Sequence, residues 1–337
     1  MKKSVVITSI ASQESSQIRN LLEQVRVIGT NLIVVADLKT PNWSPEDSLY
    51  FLSIEEQLDK WPSLANLLPF NHYSRKNLGY LLAKELGTET ILDTDDDNCP
   101  IGDPWEWQLQ NCRRSTHSGW TNVYQYFGMK HLWPRGFPLE FAYEDDRNQV
   151  DIASITTREI ACFQSLVDGD PDIDAIGRLL FPNQMEFSPE SPLILGSAGV
   201  CPTNSQATIW ADWTIPLLYL PSNVSFRMTD IWRGLILQPC FTKLNARTVF
   251  GKLGFRQERN LHDLKRDFEL EVSGHLNSEK VYETAKSSWE EWKPRFEPQF
   301  LLEGLSSVYR ELEIQGIVPS DELVILNEWI TSFSQIH

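Results

Sequence analysis

The sequence is poor in cysteine, and its cysteines show no pairing pattern. Among 337 residues there are five cysteines, an odd number, and no two of them have C-x-x-C spacing. Disulfide-rich secreted domains and structural zinc sites both depend on regularly spaced cysteines. The sequence therefore predicts neither a disulfide framework nor a zinc site. It favours a reducing compartment, and we expect a cytoplasmic protein.

Long hydrophobic runs are also missing. A membrane-spanning helix needs about 18 or more consecutive apolar residues, and the apolar stretch IPLLYLP at 215–221 is far shorter. The first residues, MKKSVVITSIASQE, resemble a secretory signal because two lysines precede an apolar run. That run is short, β-branched and interrupted by Thr8 and Ser9. We therefore interpret it as a first β-strand.

Positive charge is scarce. There are 30 Lys and Arg against 46 Asp and Glu, so the formal net charge is −16. An acidic excess of this kind disfavours non-specific binding to nucleic acid and to anionic membranes. It does not exclude a local basic pocket that holds an anionic small molecule.

The first hundred residues alternate between strand and helix patterns. Apolar strand patterns occupy 4–10, 31–37 and 88–93, and amphipathic helix patterns occupy 15–25 and 74–87. Alternation of this kind is typical of a mostly parallel sheet that is covered by helices on both faces.

The rest of the chain divides into an irregular middle and a helical end. The middle is rich in Trp, Pro and Gly, as in NCPIGDPWEWQ and HLWPRGFPLEF, which predicts ordered loops and short antiparallel strands. From about Leu276 the pattern becomes amphipathic and helical. We therefore predict an α/β domain over 1–275 and a C-terminal helical extension over 276–337.

A cluster of acids follows the strand predicted at 88–93. The stretch ETILDTDDDNCPIG places Asp93, Asp95, Asp96 and Asp97 at the carboxyl end of that strand, where parallel α/β sheets bind their ligands. Like charges so close repel one another, and a divalent cation would relieve the repulsion. Because oxygen ligands suit Mg²⁺ or Mn²⁺, the pattern indicates a metal–diphosphate site. A solvated acidic turn is the alternative.

Two cations, Arg75 and Lys76, open the helix before this strand. The N-terminus of a helix attracts anions, and added positive charge strengthens that attraction. We interpret the pair as an anion site, with ordinary surface charges as the alternative. The D-x-D-x-D-G spacing of a calcium loop is absent.

Several long blocks of the sequence resemble those of one family. The blocks are, in order, NLIVVADLKTPNW, FLSIEEQ, LLPFNHYSRKNLGYLLAKELGTETILDTDDDN, NVYQYFGMKHLWPRGFPLE and RMTDIWRG. Through them the chain resembles the STELLO-type glycosyltransferases over roughly residues 4–272. It is more distantly similar to the UDP-arabinopyranose mutases, the reversibly glycosylated polypeptides. The resemblance implies a GT-A-like fold, in which a mixed α/β sheet flanked by helices binds a nucleotide sugar beside a metal-holding D-x-D.

The resemblance also implies roles for individual residues around a nucleotide sugar. Asp95 and Asp97 are expected to bind Mn²⁺ or Mg²⁺, and the extra acid leaves open which of them is the main ligand. Asp93 is expected at the ribose or at the metal, and His262 is a further candidate metal ligand, with helix surface as its alternative. The residues expected to hold the nucleotide sugar are Thr8, Ser9, Ile10, Asp37, Arg75, Asn77, Asp93, Asn204 and Ser205. Ordinary strand-end, helix-surface or turn polarity is the alternative for these residues.

Three residues are candidates for catalysis. Asp230, in TDIWRG, is expected to take the proton of the acceptor, with a simple helix cap as the alternative. Arg233 is expected to pair with Asp230 or with phosphate. Arg135, in WPRGFPLE, is expected to contact the diphosphate or to be a self-glycosylation point, with a structural salt bridge as the alternative.

The sequence thus predicts a metal-dependent glycosyltransferase. It would move a sugar from a nucleotide sugar, by default a UDP-sugar, to a glycan or to a lipid-linked acceptor. A nucleotide-sugar mutase and a non-catalytic scaffold of a polysaccharide-synthesis complex are the alternatives. The C-terminal helices are expected to serve acceptor capture, homodimer formation or docking to a membrane surface.

Overall fold

The computed structural model describes residues 2–107, 109–144, 148–257 and 263–336. Its strands are β1 (Lys3–Ser9), β2 (Asn31–Ala36), β3 (Leu49–Leu52), β4 (Thr90–Thr94), β5 (Asn98–Pro100), β6 (Cys112–Ser115), β7 (Gly119–Trp120), β8 (Val150–Ala153), β9 (Ile160–Gly169), β10 (Leu193–Ile194), β11 (Gly199–Val200), β12 (Ala207–Ala211) and β13 (Arg247–Gln257). Its α-helices are α1 (Ser16–Val27), α2 (Ile54–Lys60), α3 (Pro62–Leu67), α4 (Lys76–Glu85), α5 (Val123–Tyr126), α6 (Ala175–Leu180), α7 (Thr229–Lys243), α8 (Leu264–Trp292), α9 (Pro298–Ile314) and α10 (Ser320–Ser334).

One large mixed sheet forms the centre of the molecule. Its strand order is β3-β2-β1-β4-β12-β9-β13-β10-β6-β8, and β5 pairs with β13. Strands β3, β2, β1 and β4 are parallel, whereas β12 runs antiparallel to both β4 and β9. The predicted class, a mixed α/β sheet flanked by helices, is therefore confirmed. The parallel part is the part that the strand–helix alternation predicted.

Helix α1 covers one face of the parallel strands. Its buried stripe consists of Ile18, Leu21, Leu22 and Val25. These residues recur at helical spacing, and they share an apolar cluster with Val5 and Ile7 of β1. The side chain of Ser15 caps the helix by accepting a hydrogen bond from the Ile18 backbone N–H. The helical spacing of the apolar residues and the capping serine together explain why this segment forms a helix.

Helix α4 covers the opposite face and lies unusually close to it. The predicted helix starts at residue 74, but α4 begins at Lys76, because Tyr73–Arg75 form a tighter 3-10 turn. Gly79 permits the close approach: a Cβ atom at this position would lie 2.7 Å from methyl groups on β1 and β2. The first turn of α4 is thereby held beneath the end of β4, where the Lys76 ammonium contacts the Thr94 carbonyl at 2.6 Å.

The C-terminal helices pack against the same core as α4 and α7. The indole of Trp289 in α8 donates to the Ile236 carbonyl of α7 at 2.9 Å, and the indole of Trp329 in α10 donates to the Pro216 carbonyl at 3.1 Å. The boundary predicted at 275 lies inside α8, which is continuous across it. No helix in the described part of the chain is long and apolar enough to cross a membrane.

Candidate functional site

The loops that follow β1, β2 and β4 meet at one edge of the sheet. Because β1 pairs in parallel with both β2 and β4, their carboxyl ends lie side by side. Between these loops lies a cavity of about 290 Å³, here called the edge cavity. It is lined by Thr8, Ser9, Ile10, Asp37, Lys39, Asn71, His72, Tyr73, Asp96 and Phe226. The structure thus brings together the residues that were predicted to hold the nucleoside at the ends of β1 and β2.

The acidic turn, Asp95 to Asp97, lies beside this cavity. Ser9 Oγ donates a hydrogen bond to Asp96, and Gln257 Nε2 donates one to Asp97 Oδ1 at 2.8 Å. On the side of α1, Asp96 and Asp97 also line a second cavity of about 530 Å³. The turn is therefore held by hydrogen bonds from β1 and β13 and is accessible from two sides.

The carboxyl group of Asp95 has a raised pKa. Partial burial is the largest cause; it is opposed by Lys76 and reinforced by the nearby carboxylates of Asp97, Asp230 and Asp93, and the pKa is raised to about 7. Burial raises the pKa of a carboxyl group because it removes water from the charged carboxylate and so favours the neutral form. A cation placed at this turn would favour the ionised form of Asp95.

The two acids predicted as principal metal ligands, Asp95 and Asp97, differ from the buried Asp93 because each has a carboxylate oxygen open to a ligand. Asp95 and Asp97 each keep one carboxylate oxygen without a hydrogen bond from the described residues. Within those residues no group of three His, Cys, Asp or Glu side chains is arranged around a single metal position. Mg²⁺ binds through one or two carboxylates when water and phosphate complete its shell, so this pair fits such an ion. His262 lies outside the described residues.

Asp93 is engaged as a buried counter-ion. Its side chain is fully buried and contacts Lys76 Nζ at 2.7 Å and Arg233 at 2.8 Å, and it accepts a hydrogen bond from Ser205 Oγ at 2.7 Å. Burial acts to raise the pKa of Asp93, but the two cations outweigh it and the pKa lies below its ordinary value. This geometry does not support the prediction that Asp93 contacts ribose or metal, because the side chain is fully buried and each oxygen faces a buried cation.

Two residues assigned to the donor from the start of α4 face the protein interior instead. The Arg75 guanidinium is buried and donates to Gln57 Oε1 and to the Leu68 carbonyl. Asn77 is buried as well, and its amide exchanges two hydrogen bonds with the backbone of Leu220, at 2.8 and 2.9 Å. The predictions that Arg75 binds the diphosphate and Asn77 the sugar are not supported by this placement. Adjacent residues of a helix point in different directions, and only Lys76 points toward the acids.

Asp230 lies at the first turn of α7 in a second buried ion-pair network. Arg135 contacts Asp172 at 2.7 Å and Asp230 at 3.2 Å. The Asp230 carboxylate also accepts hydrogen bonds from the backbone N–H groups of Ser205 and Ile231, both at 3.0 Å. Its accepting positions are thus occupied, which does not support a role as proton acceptor. Arg135 forms the structural salt bridge that was the alternative interpretation.

The remaining predicted site residues belong to the buried network as well. Arg233 pairs with Asp93 and donates to Tyr80, so it contacts neither Asp230 nor the cavity. Asn204 accepts from Gln164 Nε2 at 2.8 Å and is buried. Ser205 is buried too, so this placement does not support the prediction that Asn204 and Ser205 bind the sugar.

Sequence reasoning missed several residues around the edge cavity. Tyr73 and Phe226 form an aromatic wall, with ring centroids 6.2 Å apart, and Gln257 holds Asp97 from β13. Lys39 lies on the cavity wall and is exposed. No motif distinguishes these residues, since they come from separate parts of the chain. Lys76 carried a signal as one of two cations at a helix start, but its role as a buried counter-ion was not predicted.

Comparison with known proteins shows a similarity in sequence to two plant proteins. No protein-family model matches the chain. "Probable glycosyltransferase STELLO1" of Arabidopsis thaliana is 27% identical over 251 residues, which cover 68% of this chain and 32% of that protein. The chain is similar to the STELLO-type glycosyltransferases. "Probable glycosyltransferase STELLO2" of the same plant is 25% identical over the same shares, and the predicted resemblance is confirmed. The match spans about a third of the length of these STELLO proteins.

Solved structures show a looser likeness. Glucosyl-3-phosphoglycerate synthase from Mycobacterium tuberculosis, solved with phosphoglyceric acid, has a TM-score of 0.41 and 13% identity over 82% of this chain and 79% of that one. A further mycobacterial protein has a TM-score of 0.38 and 12% identity, over 82% and 74% of the two chains. No residue role follows from so loose a likeness. The similarity to the STELLO-type proteins leaves the subclass, donor and acceptor unspecified.

Proposed function

We propose that this STELLO-type chain is a metal-dependent glycosyltransferase that binds a nucleotide sugar in the edge cavity. One observation carries the proposal. The acidic turn, with an available oxygen on Asp95 and on Asp97, lies beside a cavity that the ends of β1 and β2 line with hydroxyl and carboxylate groups. Ligands of open α/β sheets bind at this edge.

The residues of the cavity divide the proposed work between them. Asp37 and the backbone and hydroxyl groups of Thr8–Ile10 would orient the nucleoside, and Phe226, which is 46% exposed, offers an aromatic face. Lys39 would contact the donor phosphates in place of the buried Arg75. Mn²⁺ or Mg²⁺ at Asp95 and Asp97 would neutralise the leaving diphosphate.

The first experiment is calorimetric titration with UDP, GDP, CDP and CMP, each in the presence of Mn²⁺ or of EDTA. We expect one nucleoside diphosphate, by default UDP, to bind only with the metal. In the double variant Asp95→Asn/Asp97→Asn the metal-dependent binding should fall at least about a hundredfold, because both carboxylate ligands lose their charge.

Asp47→Asn is the matched control, since Asp47 is an exposed acid outside the cavity, and it should bind as the wild type does. CMP binding without metal would remove the metal from the proposal. Absence of binding under every condition would contradict the donor site and favour a non-catalytic scaffold.

The mutase alternative receives no support from the position of its key residue. The Arg135 side chain is 7% exposed and enclosed between Asp172 and Asp230. A self-glycosylated arginine must be accessible to the donor sugar. We therefore expect no gain in intact mass when the protein is incubated with UDP-sugars and Mn²⁺.

The acceptor, location and assembly remain at the level of proposals from the sequence. A glycan or lipid-linked acceptor and a cytoplasmic location are proposed from the STELLO resemblance and the cysteine usage. Homodimer formation and docking to a membrane surface, both expected of the C-terminal helices, stay predictions.

A further inference from the structure

Tyr73 lies between the buried cation of the site and the acidic turn. Its hydroxyl is 2.8 Å from Lys76 Nζ and 3.1 Å from Asp95 Oδ1. The ring forms part of the wall of the edge cavity. A single phenol thus touches the cavity, a buried ammonium and one of the two proposed metal ligands.

The direction of these hydrogen bonds follows from the chemistry of the ammonium group, which can only donate. An ammonium group has three N–H donors and no acceptor. Lys76 donates to the Thr94 carbonyl at 2.6 Å and contacts the Tyr73 hydroxyl at 2.8 Å, and it forms an ion pair with Asp93 Oδ1 at 2.7 Å. The Tyr73 oxygen must therefore accept from Lys76, and its own O–H proton remains for Asp95.

Lys76 does not reach Asp95 directly. The distance from Nζ to Asp95 Oδ1 is 3.8 Å, which is beyond hydrogen-bond range. Within the described residues, the Tyr73 hydroxyl is the only hydrogen-bond donor to the Asp95 side chain.

The ring of Tyr73 is itself held in place. Lys76 Nζ lies 4.6 Å from the ring centroid, and the Phe226 ring makes an edge contact with it at 6.2 Å. A hydroxyl on a fixed ring imposes a fixed direction on the group that it binds. One oxygen of Asp95 is thereby tied down, and the other is left for an outside ligand.

We propose that Tyr73 is a positioning residue that orients the Asp95 carboxylate for a divalent cation. Its hydroxyl links Asp95 to the buried Lys76 by two hydrogen bonds. The proposal rests on the proposed function, because it assigns a role toward the same metal–diphosphate site. Tyr73 lies outside the acidic motif, so the inference extends the proposed metal site by one residue.

The test is Tyr73→Phe, which removes the hydroxyl and keeps the ring with its contacts. Calorimetry would measure the affinity for Mn²⁺ alone and for the nucleoside diphosphate with Mn²⁺ and with EDTA. We expect Mn²⁺ and Mn²⁺-dependent diphosphate binding to weaken about tenfold, the change typical of losing one hydrogen bond to a charged group. Binding in EDTA should not change.

Tyr80→Phe is the matched control. Tyr80 is a buried tyrosine whose hydroxyl accepts from the other buried cation, Arg233, at 2.9 Å. This variant also leaves a buried N–H without its partner, but Tyr80 does not touch Asp95, so its Mn²⁺ affinity should match the wild type.

The outcomes separate the two proposals. If the wild type binds Mn²⁺ and diphosphate and Tyr73→Phe binds them equally well, Tyr73 has no positioning role while the proposed function stands. Equal losses in Tyr73→Phe and Tyr80→Phe would show a general effect of loosening the buried network and would also overturn the inference. If the wild type binds neither Mn²⁺ nor any diphosphate, the proposed function fails and the role of Tyr73 fails with it.

Discussion

Lys76 and Arg233 are buried cations that share one buried carboxylate, Asp93. Removing a charge from water costs several kcal/mol per ion, and good geometry with added hydrogen bonds must offset that cost. Here the Thr94 carbonyl and the Ser205 hydroxyl complete the arrangement. Removing one charged side chain from this network should therefore destabilise the fold. The network also fixes the residues directly beneath the acidic turn.

The substitution Asp93→Asn should lower the free energy of unfolding by about 3–5 kcal/mol, the range for breaking a buried ion pair from one side. Because the pKa of Asp93 is lowered from its ordinary value of 3.8, the stabilisation by its charge is present above that pH. It is lost as the pH falls through the folded-state pKa. Urea denaturation at a series of pH values would measure the difference between wild type and variant.

The difference should be constant near neutral pH and should shrink below about pH 4. Glu14→Gln is the control, because the Glu14–Arg19 pair is exposed and such pairs contribute at most about 1 kcal/mol. A difference that grows in acid, or an Asp93→Asn variant as stable as the control, would contradict this account of the network.

At the scale of elements, α7 approaches the segment before β12 so closely that only glycine fits between them. A Cβ atom on Gly234 would lie 2.2 Å from Thr203 Oγ1 and 2.9 Å from the Thr203 carbonyl oxygen. The neighbouring Arg233 and Ser205 depend on this contact, since their hydrogen bond of 2.6 Å joins the helix to the segment. The packing of one helix thus sets the geometry of the buried ion pairs.

Gly234→Ala should lower the free energy of unfolding by about 1–3 kcal/mol, the usual effect of overpacking, although alanine is the better helix former. The clash involves backbone, which cannot rotate away as a side chain can. Chemical denaturation would measure the loss. In the control Gly177→Ala the nearest atom to the new Cβ, Asp174 Oδ1, is 3.3 Å away, and the loss should be clearly smaller. A stabilised Gly234→Ala would show that α7 can shift freely.

At the scale of the whole molecule, the C-terminal helices hold a loop that ends at the edge cavity. Glu322 of α10 is fully buried, and it accepts hydrogen bonds from Tyr219 and from the backbone of Ser222 and Asn223. This loop leads to Phe226, which lines the cavity. The helical end of the chain is therefore coupled to the cavity wall through one carboxylate.

Glu322→Ala should lower the free energy of unfolding by about 2–3 kcal/mol, because it leaves the buried donors of Tyr219 and Ser222 without an acceptor. Thermal unfolding followed by circular dichroism would detect a lower Tm in one shared transition. Asn327→Ala, an exposed change on the same helix, should stay within about 0.5 kcal/mol of the wild type. A separate early transition in Glu322→Ala would mean that the C-terminal helices unfold independently of the sheet.

Local sequence patterns were sufficient to predict much of the first half of the fold. The stripe of Ile18, Leu21, Leu22 and Val25 predicted α1 correctly, and the apolar runs predicted β1, β2 and β4. The boundary at 275 was placed where the amphipathic pattern became clear, whereas α8 already begins at Leu264. Helix ends depend on caps and on contacts with other elements, which a pattern does not contain.

The candidate site was predictable only in part. Strand ends are local features, so the acidic turn and the loops after β1 and β2 were found and do meet at the edge cavity. The sequence did not predict that Arg75 and Asn77 point into the protein interior. Near the end of a helix, which side faces the core depends on the elements that pack against it. The same holds for Asp230, whose role depends on Arg135 from a loop distant in sequence.

The alternating elements, the acid-rich strand end and the resemblance to STELLO-type proteins can all be predicted from the sequence, because each is a property of neighbouring residues or of an ordered series of blocks. Which charges are exposed depends on how distant elements pack together. Lys76 and Arg233 lie on different helices, and only folding places both against Asp93. The physical reason is that burial of a charge depends on every element around it. The free oxygens of Asp95 and Asp97 are therefore a consequence of the fold.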